Sequence, residues 1–339
     1  MHFDQQQVRI STIQSAKTDR PSEDTFFTSA DADRVIALVA DGASQRVRTT
    51  HRLRPLLDRY GEGTTPGRCA ALITRDVVSQ TLSAGQNVSL TEAVLAANEH
   101  LHAGLAAIYG ALTADAVHQH EPELHFLLDD PRLLRLILPV CCVTTVRVDV
   151  QAGRLEYAHG GDTALFLFYR DGRTVRATTD QMIQHDGRAV QAALDIKAAS
   201  GAAHLADVVT DERVREMNIA NGIYHNYEDE SGATDAAVGV GVINGLPMLA
   251  AYLEIGGVPT ADLAGFLVCS DGFPPHSTAI ADAVAEMGLI QAMRESIEAK
   301  GLAGYLAELR AAEYADAGLD IYPRLGQHDD ATAIYVEFV

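Results

Sequence analysis

The residues of this chain best placed to do chemistry are carboxylates standing at the ends of apolar β-runs. Glu23 and Asp24 precede Thr25-Phe26-Phe27, Asp41 closes the run 35–40, Asp271 follows the run 266–270, and Asp329-Asp330 open the run 331–339. An apolar run of that length reads as a buried strand, and an acid at its end points out of the core at the rim of a sheet. Carboxylates gathered at one rim raise one another's pKa unless cations neutralise them. All-oxygen donor sets favour hard divalent ions, Mg²⁺, Mn²⁺ or Ca²⁺. The expectation is a carboxylate-held metal centre assembled from both ends of the chain.

The elements that must position these acids read as grouped strands and grouped helices. Strands are expected near 7–15, 24–29 and 34–41, followed by helical stretches at about 46–60 and 68–83. Ser89-Leu90-Thr91-Glu92 has the form of a capping box, ahead of Leu90, Val94, Ala97, Leu101, Leu105 and Ile108 at helical spacing. Residues 140–150 and 154–169 read as a hairpin turning near Gln151-Ala152-Gly153, with Asp171-Gly172 as a second tight turn. The stretch 186–220 is helical and alanine-rich, and 224–234 is polar and loop-like. Strands resume at 238–243, 249–255 and 264–270, and helices near 278–299 and 302–316 precede the last strand. Such grouping argues for layered α+β packing with mainly antiparallel sheets.

Composition narrows the function classes. With 339 residues, 47% hydrophobic and 21% charged, the chain is of globular type with material for a substantial core. A formal net charge of −20 argues against nucleic acid and anionic membrane as partners, since both demand a basic footprint. The amino terminus lacks the basic and apolar regions of a secretory signal. The apolar stretch 133–146 is too short, and too interrupted by Arg135 and Pro139, to span a bilayer. Cys69, Cys141, Cys142 and Cys269 have no CxxC spacing, and the three that lie in apolar runs read as reduced core residues. The cytoplasm is the expected compartment.

Taken in order, the motifs are Arg20-Pro21-Ser22-Glu23-Asp24, Val39-Ala40-Asp41-Gly42, Val143-Thr144-Thr145, Gly160-Gly161-Asp162, Cys269-Ser270-Asp271-Gly272 and Asp329-Asp330-Ala331-Thr332. Each is weak alone; as an ordered series across nearly the whole chain they resemble the metal-dependent protein phosphatases, the type 2C serine/threonine phosphatases. The resemblance implies a single catalytic domain over 1–339, a four-layer αββα sandwich of two mainly antiparallel sheets flanked by helices. It implies two Mn²⁺ or Mg²⁺ ions per chain, a phosphoprotein substrate and a cognate serine/threonine kinase as partner. Position by position, Asp41 matches the carboxylate bridging both ions, and Asp271 and Asp329 the other ligands of one. The Gly42 carbonyl and Glu23, with Asp24 beside it, match the surroundings of the second. Water activated between two such ions would attack phosphorus in line, leaving positioning and electrostatics to the protein.

Several positions depart from the family's pattern. Its phosphate-binding arginine lies four residues before the glutamate matched by Glu23, whereas Arg20 lies three before it, with Lys17 further back. Ser44 stands where a glycine is usual, and Ala43 where some members have a histidine proposed as general acid. Asp162 matches a residue of a weaker third metal site, but the partner of that site is Pro275 here. Residues 180–235 match the variable flap by position only. These departures leave open a catalytically weak relative that binds a kinase or phosphoprotein as a regulatory module. A third reading is another metal-dependent hydrolase on an unrelated fold. Asp171-Gly172 and Asp186-Gly187 read as turns, His159 as structural, and Glu228-Asp229-Glu230 as a solvated loop.

Overall fold

The structure, a computed structural model, describes residues 8–43, 51–84, 88–229, 231–277 and 283–339. The expected αββα sandwich is present. Among the described residues, ten strands form two five-stranded sheets. One sheet has the order β2 (Thr25–Ala30), β3 (Arg34–Gly42), β4 (Cys141–Asp149), β5 (Arg154–Gly160), β8 (Glu254–Pro259). The other runs β1 (Val8–Ser15), β10 (Ala331–Phe338), β9 (Leu263–Cys269), β6 (Ala164–Tyr169), β7 (Thr174–Arg176). Every pairing between these strands is antiparallel.

The alternation of side chains along each strand explains the layers. On β3, Val35, Ala37 and Val39 face the second sheet, where they meet Phe266, Val268, Ile334 and Val336. The intervening Ile36, Leu38 and Ala40 pack outward against α2 (Pro66–Ala84) and α3 (Leu90–Tyr109), reached after the short α1 (Arg54–Leu57). β10 splits the same way, with Ala331, Ala333 and Tyr335 turned to the long α8 (Ala283–Ala315). Both faces of these strands are dry, so they read as continuous apolar runs. Each large aliphatic side chain buried there contributes roughly 1.5–3 kcal/mol.

The capping box forms: Ser89 N donates to Glu92 Oε2 at 2.8 Å, and Glu92 N donates to Ser89 Oγ at 3.1 Å. Short helices α4 (Ala114–His120) and α5 (Phe126–Asp129) lead into β4. α6 (Ile183–Ser200) and α7 (Glu212–Ala220) make up the segment expected as the flap and share a small core of Ala193, Ile196, Leu205, Val208 and Val214 with Leu319.

Four sequence expectations are corrected. The run 154–169 is two strands, because Gly161 (φ +94°) breaks it and β6 crosses to the other sheet. A Cβ on Gly161 would also lie 2.2 Å from Cys142 Sγ, so the crossover needs glycine on both counts. Residues 238–243 form isolated bridges rather than a strand. Their backbone is paired instead by the Asn226 side chain, which accepts from Val242 N at 3.1 Å and donates to Val242 O at 2.8 Å. Residues 249–255 divide between a 3₁₀ turn at Pro247–Ala251 and β8. Asp186-Gly187 lies in the first turn of α6, where a carboxylate suits the helix dipole. The helices expected near 278–299 and 302–316 are present as the two arms of α8, separated at Gly301 (φ +73°) and described from residue 283 onward. Ser44, part of the stretch 46–60, and Glu230 lie outside the described residues. No helix among the described residues is long and apolar enough to cross a membrane.

Candidate metal centre

Antiparallel pairing brings the acidic strand ends to one end of the sandwich. Thr25 pairs with Ala40 and Asp41 with Cys142, while Cys269 pairs with both Ala333 and Ala164. Asp24, Asp41, Asp162, Asp271 and Asp329 therefore emerge together. Asp41, Asp162, Asp271 and Asp329 wall one cavity of about 230 Å³, with Lys17, Gly42 and Ala43. Flap residues Met182, Asp186, Asn218, Ile219, Asn221 and Gly222 close its far side.

Close packing raises the cost of ionising these acids. Burial first, then the like charges of Asp24, Asp271, Asp162 and Asp329, push Asp41 well above the usual carboxylate range. Asp271 is raised in the same way, by burial and by Asp329, Asp162 and Asp24. Burial lifts Asp24 to about 7 against the hydrogen bond it accepts from Ser270 Oγ at 2.7 Å. The charges of Asp24 and Asp271 both act on Asp41, so the three carboxyls do not ionise independently. Asp271 is nevertheless open to solvent at the cavity mouth, surrounded by protein rather than sealed in it.

The two acids of Asp329-Asp330 divide their work. Asp330 is buried, and its oxygens accept from Lys17 N at 2.6 Å and Glu23 N at 2.7 Å, stitching the amino-terminal segment to β10. Asp329 faces the cavity and takes the Lys17 ammonium at 2.8 Å. Glu23 is buried behind Gly42, with Oε1 accepting from the Thr65 hydroxyl at the head of α2, and is not part of the cavity wall. Arg20 is exposed and also stands off the wall, which Lys17 reaches.

The donor set fits hard divalent cations in kind. It is all carboxylate and carbonyl oxygen, and Asp24 Oδ1 and Asp162 Oδ1 are buried without a hydrogen-bond partner. It does not fit as a ready-made cage. Among the described residues, no three His, Cys, Asp or Glu side chains are disposed to hold one ion. Asp329 is taken instead by the Lys17 ammonium.

Thiol chemistry has no support at this site. The four cysteines are buried and free, and burial pushes Cys69 and Cys141 up to about 12. His159 is structural: Nδ1 meets Thr144 Oγ1 at 2.8 Å and Nε2 meets Thr179 O at 2.8 Å, while burial lowers its pKa to about 4.

Three residues of the site escaped the sequence reading. Arg135 lines the cavity and donates to the carbonyls of His225 at 2.9 Å and Asn226 at 3.3 Å. A charge inside an apolar run was the available signal, because a buried guanidinium must find such partners. Asp180 sits beside Asp162 and is lifted to about 6, by burial and then by that neighbour. Asp186 reaches the wall from α6. Neither aspartate has a local sequence signature.

No protein-family model matches the sequence, and no curated protein matches it. Among solved structures the chain is similar to bacterial serine/threonine phosphatases. For PstP/Ppp of Mycobacterium tuberculosis the identity is 15%, the match covers 98% of this chain and 99% of that one, and the TM-score is 0.45. For Stp1 of Staphylococcus aureus the figures are 11%, 98%, 95% and 0.48. RsbX, solved in complex with magnesium, gives 10%, 99%, 98% and 0.46.

Proposed function

We propose that this chain is a metal-dependent phosphomonoesterase acting on phosphoserine or phosphothreonine in proteins. The observation that carries the reading is the convergence of Asp41, Asp162, Asp271 and Asp329, from separate strand ends, on one cavity. The ordered motif series supports it. Asp41, Asp271 and Asp329 would hold one Mn²⁺ or Mg²⁺, and Asp41 with the Gly42 carbonyl a second, with Asp24 and Glu23 behind. Bound there, such ions would lower the pKa of water and neutralise charge on a phosphoryl group.

The chain's own residues do the rest. Of the two cations on the wall, Arg135 is tied to backbone carbonyls, so the phosphate contact expected of Arg20 falls to Lys17, which exchanges Asp329 for the anion. The buried Arg135 adds fixed positive charge to the opposite side. Ala43 supplies no proton to the leaving group, which leaves that step to solvent or to an acid of the wall. The flap residues Asn218, Ile219 and Gly222 close the cavity and would select the peptide around the phosphate.

The test is hydrolysis of a small aryl phosphate by the full chain. Turnover that rises with Mn²⁺ and vanishes with chelator is expected. Absence of turnover at any Mn²⁺ concentration, with the protein folded, would favour the second reading, a catalytically weak phosphoprotein-binding module. The Lys17–Asp329 ion pair and the lack of a ready-made cage are the observations on its side.

A further inference from the structure

Glu313, near the end of α8, is a buried acid that the proposed reaction does not use. Its side chain is 1% exposed, yet both carboxylate oxygens are committed. Oε1 meets His276 Nε2 at 2.7 Å, and Oε2 accepts from Arg310 at 2.8 Å. His276 belongs to the segment that carries Asp271, while Arg310, one turn back on α8 itself, reaches the segment that carries Asp329. His276 follows Asp271 on a short stretch made rigid by Pro274 and Pro275. Arg310 passes the connection on, donating from Nη2 to the Asp329 carbonyl at 2.6 Å. The Glu313 carbonyl accepts from Gln327 Nε2 and, at 3.4 Å, from Arg324 Nη2, which ties down the approach to Asp329. The same helix grips the first segment again, through Tyr305 Oη donating to the Phe273 carbonyl at 3.2 Å.

We propose that Glu313 is a positioning residue that sets the separation of Asp271 and Asp329 by clamping their two segments to α8. The proposal rests on the reading of the cavity as a metal centre. The buried carboxylate holds the Asp271 segment directly through His276 and the Asp329 segment through the Arg310 guanidinium that it orients, so both segments register on one side chain. Its loss would leave the acids present but free to relax apart under their mutual repulsion. The site would then pay for reassembly out of metal affinity.

The experiment compares the full wild-type chain with Glu313→Gln and His276→Ala. Mn²⁺ binding is followed by the electron paramagnetic resonance of free Mn²⁺, and hydrolysis by its Mn²⁺ dependence. In Glu313→Gln the dissociation constant and the half-saturating Mn²⁺ should both rise about tenfold, with kcat recovered at saturation. In His276→Ala, which loses one arm of the clamp at a partly exposed site, the rise should be about threefold. A merely structural role gives the opposite split, a smaller active fraction with unchanged half-saturation. Unchanged Mn²⁺ affinity in both variants, beside a wild type that binds, would overturn the clamp alone. A wild-type chain that binds no Mn²⁺ would overturn the metal centre, and the clamp with it.

Discussion

Asp41→Asn is expected to lower Mn²⁺-dependent hydrolysis on the order of 10³-fold while leaving the fold intact and, without metal, more stable at alkaline pH. The loss follows from position: Asp41 is the carboxylate on which Asp24, Asp271, Asp162 and Asp329 all act. The gain follows from linkage. A carboxyl whose folded pKa is raised binds more protons in the native state than in the unfolded one. Its contribution is complete below the unfolded value, about 4, and is lost as pH rises through the folded value. For Asp24 that window closes near 7, and Asp41 and Asp271 are shifted in the same direction. Metal-free wild type should therefore melt at a lower temperature at pH 8 than at pH 5. Asp41→Asn removes one charge from the repelling set and should flatten that slope, melting a few degrees above wild type at pH 8 and level with it at pH 5. Melting curves in chelator across this range, with parallel rate measurements, check both halves. Near-normal turnover, or an unchanged pH slope, would contradict the assignment.

Gly272→Ala should be the most damaging small change at the site. The objection is space, since a Cβ there would stand 1.9 Å from the Asp330 carbonyl oxygen, a backbone atom. Asp330 cannot yield cheaply, because its side chain holds the amides of Lys17 and Glu23. The Asp271 and Asp329 segments must part, and the amino-terminal segment must move with them. Overpacking of this kind costs about 3 kcal/mol where the backbone is the obstacle. Urea unfolding should show that loss, and Mn²⁺ affinity should fall by more than about tenfold in the fraction that folds. Wild-type affinity together with wild-type stability in Gly272→Ala would mean that the two segments are not in the contact described.

What the sequence revealed and concealed has a physical pattern. Strands dry on both faces, β3 and β9 above all, announce themselves as apolar runs, and the acids that end them are visible for the same reason. The two Asp-Gly pairs at the site were separable from Asp171-Gly172, which does form the β6–β7 turn, because no return strand follows them. Concealment set in where tertiary partners replaced local ones. The crossover at Gly161 lies inside a run that stays apolar in both sheets. Residues 238–243 have strand composition but are paired by the amide of Asn226, a contact no pattern encodes. Sequence spacing favoured Arg20 as the phosphate contact, but Asp330 pins the chain at Lys17 and Glu23, and it is the Lys17 side chain that reaches the cavity. Asp186 and Arg135 join the wall only because α6 and the 131–136 turn fold over it, and Asp180 comes beside Asp162 by the same folding.

The most direct measurement is anomalous scattering from crystals of the wild-type chain soaked in Mn²⁺. The account predicts a pair of peaks inside the cavity, sharing the Asp41 carboxylate, with Asp271 and Asp329 turned toward one of them and Lys17 displaced from Asp329. Crystals that diffract well and bind Mn²⁺ only elsewhere, with the Lys17–Asp329 pair intact, would contradict it.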